Sequence, residues 1–176
     1  IFFCLLIFLL PSYAEQVGDV TGLKIPRYVS LAFDEANLRI GSNTNYPIIL
    51  TYTIINTPFE IIDEYKDWRK IIDFENNIGW IHQRLLKGKR YAIIDPPYEE
   101  AVQIFNKPYG NVIGKIGKKN IIKVNKCLKK WCHVNLDKNK GWINKSNLWG
   151  VYEKEVFDIP FYQPLIYQFW KININY

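Results

Sequence analysis

The sequence predicts an all-β chain in which two small tandem barrels follow a cleavable signal peptide. Three observations carry that prediction. The chain repeats itself: Gly79-Trp80-Ile81 followed by Leu85 and Leu86 recurs as Gly141-Trp142-Ile143 followed by Leu148, and Trp68-Arg69-Lys70-Ile71 recurs as Trp131-Cys132-His133-Val134. The glycines stand 62 residues apart and the tryptophans 63. Two features in nearly one register indicate a tandem duplication, and units of this length are small domains, longer than the 20 to 50 residues typical of solenoid repeats. Alternation of apolar and polar residues then fills both units, and turn residues separate the alternating runs.

The front of the chain predicts its compartment. Residues 1–10 (IFFCLLIFLL) are an unbroken apolar run, Pro11 ends it, and Ser12-Tyr13-Ala14 supplies small residues where a signal peptidase cuts. About 10 apolar residues are too few to span a bilayer, so residues 1–14 read as a signal peptide with Glu15 starting the mature chain. No basic n-region precedes the run and the chain has no methionine, so the sequence is read as starting inside that peptide. Cys4 lies within the apolar run, which argues against lipidation. The expected location is periplasmic or secreted, with no stable membrane span after cleavage.

Export changes the reading of the cysteines. With Cys4 removed, Cys127 and Cys132 remain, and an even pair in an oxidising compartment predicts a disulfide. The bridge would staple the two arms of one hairpin and contribute about 2 kcal/mol by restricting a short loop. Cys-x4-Cys-His is a poor zinc spacing, so no metal and no cofactor are expected. Cys132 and His133 point to opposite faces of a strand and form no nucleophile–base pair.

The alternating runs give the strands in order. In the first unit they are 29–33, 48–54, 59–65, 68–74 and 79–81, with Arg39 in a further strand leading into the loop 41–47. In the second they are 102–105, 112–116, 121–127, 131–136 and 141–143. Gly41-Ser-Asn-Thr-Asn-Tyr-Pro47, Glu75-Asn-Asn-Ile-Gly79 and Asp137-Lys-Asn-Lys-Gly141 mark turns. Units this small bury only about 60% of their unfolded surface, which favours large aromatic residues and a staple. The domains are therefore 27–88 and 89–150, joined through 86–97, with 151–176 as an aromatic tail. Pro160 and Pro164 exclude a continuous helix in that tail.

These residues resemble a known family. Asn37-Leu38-Arg39-Ile40-Gly41-Ser42, then Trp68-Arg69-Lys70-Ile71, then Gly79-Trp80-Ile81-His82 is similar to the bacterial SH3-like domain. The second unit is more degenerate: Val102-Gln103-Ile104-Phe105 replaces the Asn-Leu-Arg segment, so Phe105 stands for the arginine. From Ile25 to Tyr152 the chain resembles exported tandem SH3-like proteins of alphaproteobacteria. The resemblance implies cell-wall or protein binding, usually beside a separate catalytic domain, and no catalytic constellation is expected here.

The motif residues have mainly structural readings. Trp68, Trp80, Trp131 and Trp142 read as core or barrel-closing residues, and Gly79 and Gly141 as glycines permitting a left-handed turn or bulge. Arg39 reads as a brace for the loop after it. That polar loop is the exception, because function on small barrels concentrates in loops. It supplies Asn43, Asn45 and Tyr46 as candidate ligand contacts.

Charge separates the units. Residues 27–88 carry 7 Lys/Arg and 8 Asp/Glu, whereas residues 89–150 carry 13 and 4. Lys118, Lys119, Lys123, Lys126, Lys129, Lys130, Lys138 and Lys140 are expected on the second unit's strands and turns. Lys129, Lys130, Lys138 and Lys140 are its candidate binding residues. Such a field attracts anions and weakens with salt. The expected partners are peptidoglycan or another anionic envelope component, or an envelope protein docked by an accessory subunit. A compositional bias toward Lys, Ile and Asn is the competing explanation of the charge. Export removes nucleic acid as a partner.

Overall fold

Short alternating runs bounded by Gly, Asn, Asp and Pro leave the backbone no local partner, so its hydrogen bonds are made between strands. A computed structural model describes residues 16–136 and 139–158. Strands β1 (Arg27–Leu31), β2 (Ala36–Arg39), β3 (Ile48–Tyr52), β4 (Pro58–Tyr65), β5 (Trp68–Ile72), β6 (Ile78–His82) and β7 (Leu86–Lys87) form one sheet. A second sheet holds β8 (Tyr91–Ile94), β9 (Ala101–Phe105), β10 (Val112–Gly117), β11 (Ile121–Cys127), β12 (Trp131–Leu136), β13 (Asn139–Asn144) and β14 (Leu148–Trp149). The orders are β3-β2-β6-β5-β4-β1-β7 and β10-β9-β13-β12-β11-β8-β14, one topology built twice. The ladder registers are antiparallel throughout. The fold is all-β, with two SH3-like units. One-residue register shifts also recur, between Ile61 and Asp63 in β4 and between Val124 and Lys126 in β11.

Alternation decides which side chains face inward. Leu31, Leu38, Phe59, Ile61, Ile71 and Ile81 fill the first core; Ile94, Ile104, Val124, Val134 and Ile143 fill the second. Cys127 and Cys132 face each other across the β11–β12 hairpin inside that second core and are joined by a disulfide. Their pairing removes both thiolates from metal ligation.

Four expectations are corrected. Each unit has seven strands: the first adds β7 to the six expected and the second adds β8 and β14 to the five expected, because two-residue strands and the buried run Tyr91–Ile94 are not legible as strands. The connection read at 86–97 therefore contains β7 and β8. The tryptophans divide: Trp131 and Trp142 are buried core residues as expected, whereas Trp68 and Trp80 lie outside the two main aliphatic cores. Trp131 and Trp142 pack with Leu128 in a separate cluster, and Trp68 and Trp80 are half-buried. The glycines also act differently. Neither Gly79 nor Gly141 has positive φ. A Cβ on Gly79 would lie 2.7 Å from the Arg39 carbonyl oxygen, and one on Gly141 would overlap Ile104 Cγ2. Glycine at these points lets β2 cross β6 and β9 cross β13 closely. The signal peptide (1–14), Lys138 and most of the tail lie outside the described residues.

Candidate functional site

The loop 41–47 is held by its own sequence. Asn43 Oδ1 accepts from the Asn45 amide at 3.0 Å, the Tyr46 amide donates to the Asn43 carbonyl at 3.2 Å, and the Tyr46 ring packs over Gly41. Arg39 reaches from β2 and donates to the Tyr46 carbonyl at 2.7 Å, tying the loop to the sheet. Arg39 thus has a positioning contact.

Opposite this loop stands the β4–β5 turn. Lys66 occupies the left-handed region (φ 49°), which a two-residue hairpin turn requires. Asp67 accepts from the Gln83 side chain at 2.7 Å, locking the turn to the 3-10 segment Gln83–Leu85. His82 caps that segment, its Nδ1 accepting from the Arg84 amide, and it meets Trp68 edge-on with ring centroids 5.4 Å apart. An open groove of about 530 Å³ results, lined by Asn43, Thr44, Tyr46, Lys66, Asp67, Trp68 and His82. A second depression continues past Trp68 and His82 to Arg39, Asn37 and Glu35.

Two of the three loop residues expected at a ligand, Asn43 and Tyr46, line this groove. Asn45 belongs to the loop but not to the groove wall. Trp68, read from sequence as a structural residue, and His82, read only as part of the family motif, complete it. The Trp68/His82 pairing across β5 and β6 was the signal available, since directly opposed residues share a face.

The second unit's lysines separate into three places. Lys129 and Lys130 are exposed at the β11–β12 turn, and Lys118 and Lys119 lie at the other end of β11, where Lys118 pairs with Asp95 at 3.4 Å. Lys123, Lys126 and Lys140 lie on the outer face of the sheet around His133 and Trp142, with Lys126 over the Trp142 ring. Burial first, then Lys126 and Lys140, hold the His133 imidazole below its usual value. Lys145 differs from the rest. It is buried, and its ammonium donates to the carbonyls of Lys129, Glu153 and Glu155, fastening the segment after β14 to the hairpin.

Two seven-stranded SH3-like units, the first carrying a loop-built groove, define the class of fold. The chain belongs to the bacterial SH3 domain family, whose model matches residues 32–88 and 110–150, more than half its length. No curated protein matches the chain. Among solved structures it is similar to an NlpC/P60 family protein from Bacillus cereus at 11% identity and a TM-score of 0.31, covering 80% of this chain and 61% of that one. It is also similar to NlpC2 from Trichomonas vaginalis, at 11% identity and a TM-score of 0.33 over 75% of this chain and 51% of that one. NlpC1 from the same organism matches at 10% and 0.31, over 81% and 51%. The chain spans between half and about three-fifths of the length of these structures.

Proposed function

We propose that this chain is an exported, non-catalytic binding or adaptor protein of the periplasm or cell exterior, of the tandem type found in alphaproteobacteria. Its ligand is peptidoglycan or another anionic envelope component. The observation that carries the reading is the groove between loop 41–47 and the β4–β5 turn, where polar loop groups face Trp68 and His82 on a bacterial SH3 scaffold. The lysine-rich second unit adds long-range attraction for an anionic polymer.

Co-sedimentation with protein-free peptidoglycan sacculi, at low and high salt, tests this. Wild-type chain is expected to sediment at both salt concentrations and Tyr46→Ala to lose the salt-resistant part. Loss of all binding at high salt, and at low salt in Lys129/Lys130→Glu, would reduce the reading to non-specific attraction. Absence of sedimentation in either salt would overturn it. Export is tested by N-terminal sequencing of the protein from its native cell, with Glu15 as the expected first residue.

A second reading is an accessory subunit that docks an envelope protein. It is favoured by exposed aliphatic pairs on the two outer edge strands, Ile48 and Ile49 on β3 and Val112 and Ile113 on β10. Unpaired apolar edges of this kind accept other proteins. Cross-linking of the chain to one envelope protein in the cell, lost with Ile49→Lys, would support that reading over the first.

A further inference from the structure

The duplication places a second cleft at the position equivalent to the first unit's depression, with different chemistry. Arg39 stands opposite Trp80 across β2 and β6, and Phe105 stands opposite Trp142 across β9 and β13. Trp68 pairs with His82, and Trp131 pairs with Asn144. The repeat thus keeps both tryptophans, replaces the guanidinium by a phenyl ring and replaces the imidazole by an amide. The second cleft, of about 380 Å³, lies among Phe105, Trp131, Gln103, Asn144 and Asn147, with Tyr98 at its rim. That volume is in the range of small-ligand sites.

We infer that this cleft is a binding site for a neutral saccharide unit of a glycan. Three features carry the inference. The wall is uncharged apart from Glu99, in the unit that holds most of the chain's lysines. Unspent amides line it: neither the Gln103 nor the Asn147 side chain hydrogen-bonds among the described residues, and Asn144 uses only its oxygen, toward Ser146. Side-chain amides donate and accept side by side, which matches vicinal hydroxyl or acetamido groups. Aromatic faces are present without a cation to pair: Tyr98 is 98% exposed, and Phe105 packs edge-on against Trp131 at 5.1 Å. The Trp131 indole N–H is also one of three buried polar side-chain atoms without a partner among the described residues.

The inference rests on the wall-binding reading for the source of the glycan, and one experiment separates them. The ¹⁵N-labelled full chain is titrated with the tetrasaccharide of N-acetylglucosamine, followed by the Trp131 indole and the Gln103 and Asn147 amide signals. A proline-rich peptide is titrated in parallel. Saturable shifts at those signals with the sugar are expected, weakened about tenfold by Tyr98→Ala, as for the loss of one stacking contact. Gln103→Ala, at an exposed position, is a second variant expected to weaken binding without unfolding. Shifts from the peptide and none from the sugar would overturn the saccharide assignment. No shift from either, with sedimentation on sacculi intact, would overturn the cleft and leave the wall reading; sugar shifts without sedimentation would do the reverse.

Discussion

The Tyr152 hydroxyl, just past the second sheet, donates to the Glu60 carboxylate of the first at 2.7 Å. Burial, and then the nearby Glu60 charge, hold the Tyr152 phenol far above its usual range. Around this bond Tyr28 packs against both Trp149 and Tyr152, at 5.3 and 4.7 Å, and Phe74 meets Trp149 at 5.8 Å. The two units therefore meet through an aromatic seam that includes this hydrogen bond. Tyr152→Phe should cost about 1 kcal/mol in chemical denaturation. Trp149→Ala should cost more and let the two units melt separately, read by calorimetry against the wild-type chain.

Glu64 links the first sheet to the segment before it. Its buried carboxylate accepts from Arg27 at 2.6 Å and from the Thr21 hydroxyl and amide at 2.8 and 2.9 Å, with Arg69 at 3.5 Å. Burial raises its pKa, but Arg27 and Thr21 together outweigh that and hold it below the usual carboxylate range. A carboxyl depressed in the folded state adds stability above its unfolded pKa of about 4.3, and that stability is lost as pH falls through the lower folded value. Glu64→Gln should cost about 3 kcal/mol at neutral pH and flatten the acid limb of the stability curve. Urea titrations from neutral to acid pH would show it.

Gly79→Ala and Gly141→Ala should each destabilise by about 1–3 kcal/mol, because the added methyl meets atoms of the crossing strand. Gly88→Ala, with nothing near its Cβ, should be close to neutral. Thermal melts of the three variants make the comparison.

Reducing the Cys127–Cys132 bridge should cost about 2 kcal/mol. Both sulfurs are buried in the second core, so reductant should act slowly on the folded chain and fast in denaturant. A thiol assay under both conditions measures the difference.

His133 should titrate below about 6.5 in an NMR pH series, and Lys126→Gln or Lys140→Gln should raise its midpoint. A histidine depressed in the folded state resists a proton that the unfolded chain accepts. Its contribution therefore falls as pH drops below about 6.5 toward the folded value.

The sequence by itself determined the all-β class, the duplication, the hairpin carrying the disulfide and the loop carrying Asn43 and Tyr46. Each follows from local signals: period-2 alternation, turn residues at fixed offsets, and paired cysteines a few residues apart. It did not reveal β8, because four apolar residues between a basic pair and two prolines carry no alternation to read. Nor did it reveal why Gly79 and Gly141 recur, since the atoms that exclude a side chain come from strands about 40 residues earlier. Tertiary structure decided that Trp131 and Trp142 are buried in a cluster of their own while Trp68 and Trp80 stay half-buried. It also decided that His82 and Trp68 share one groove while Phe105 and Asn144 take the matching places in the other unit. Those relationships depend on which strands become neighbours and in what register, and register is set by pairing between distant segments, not by any one segment's own residues.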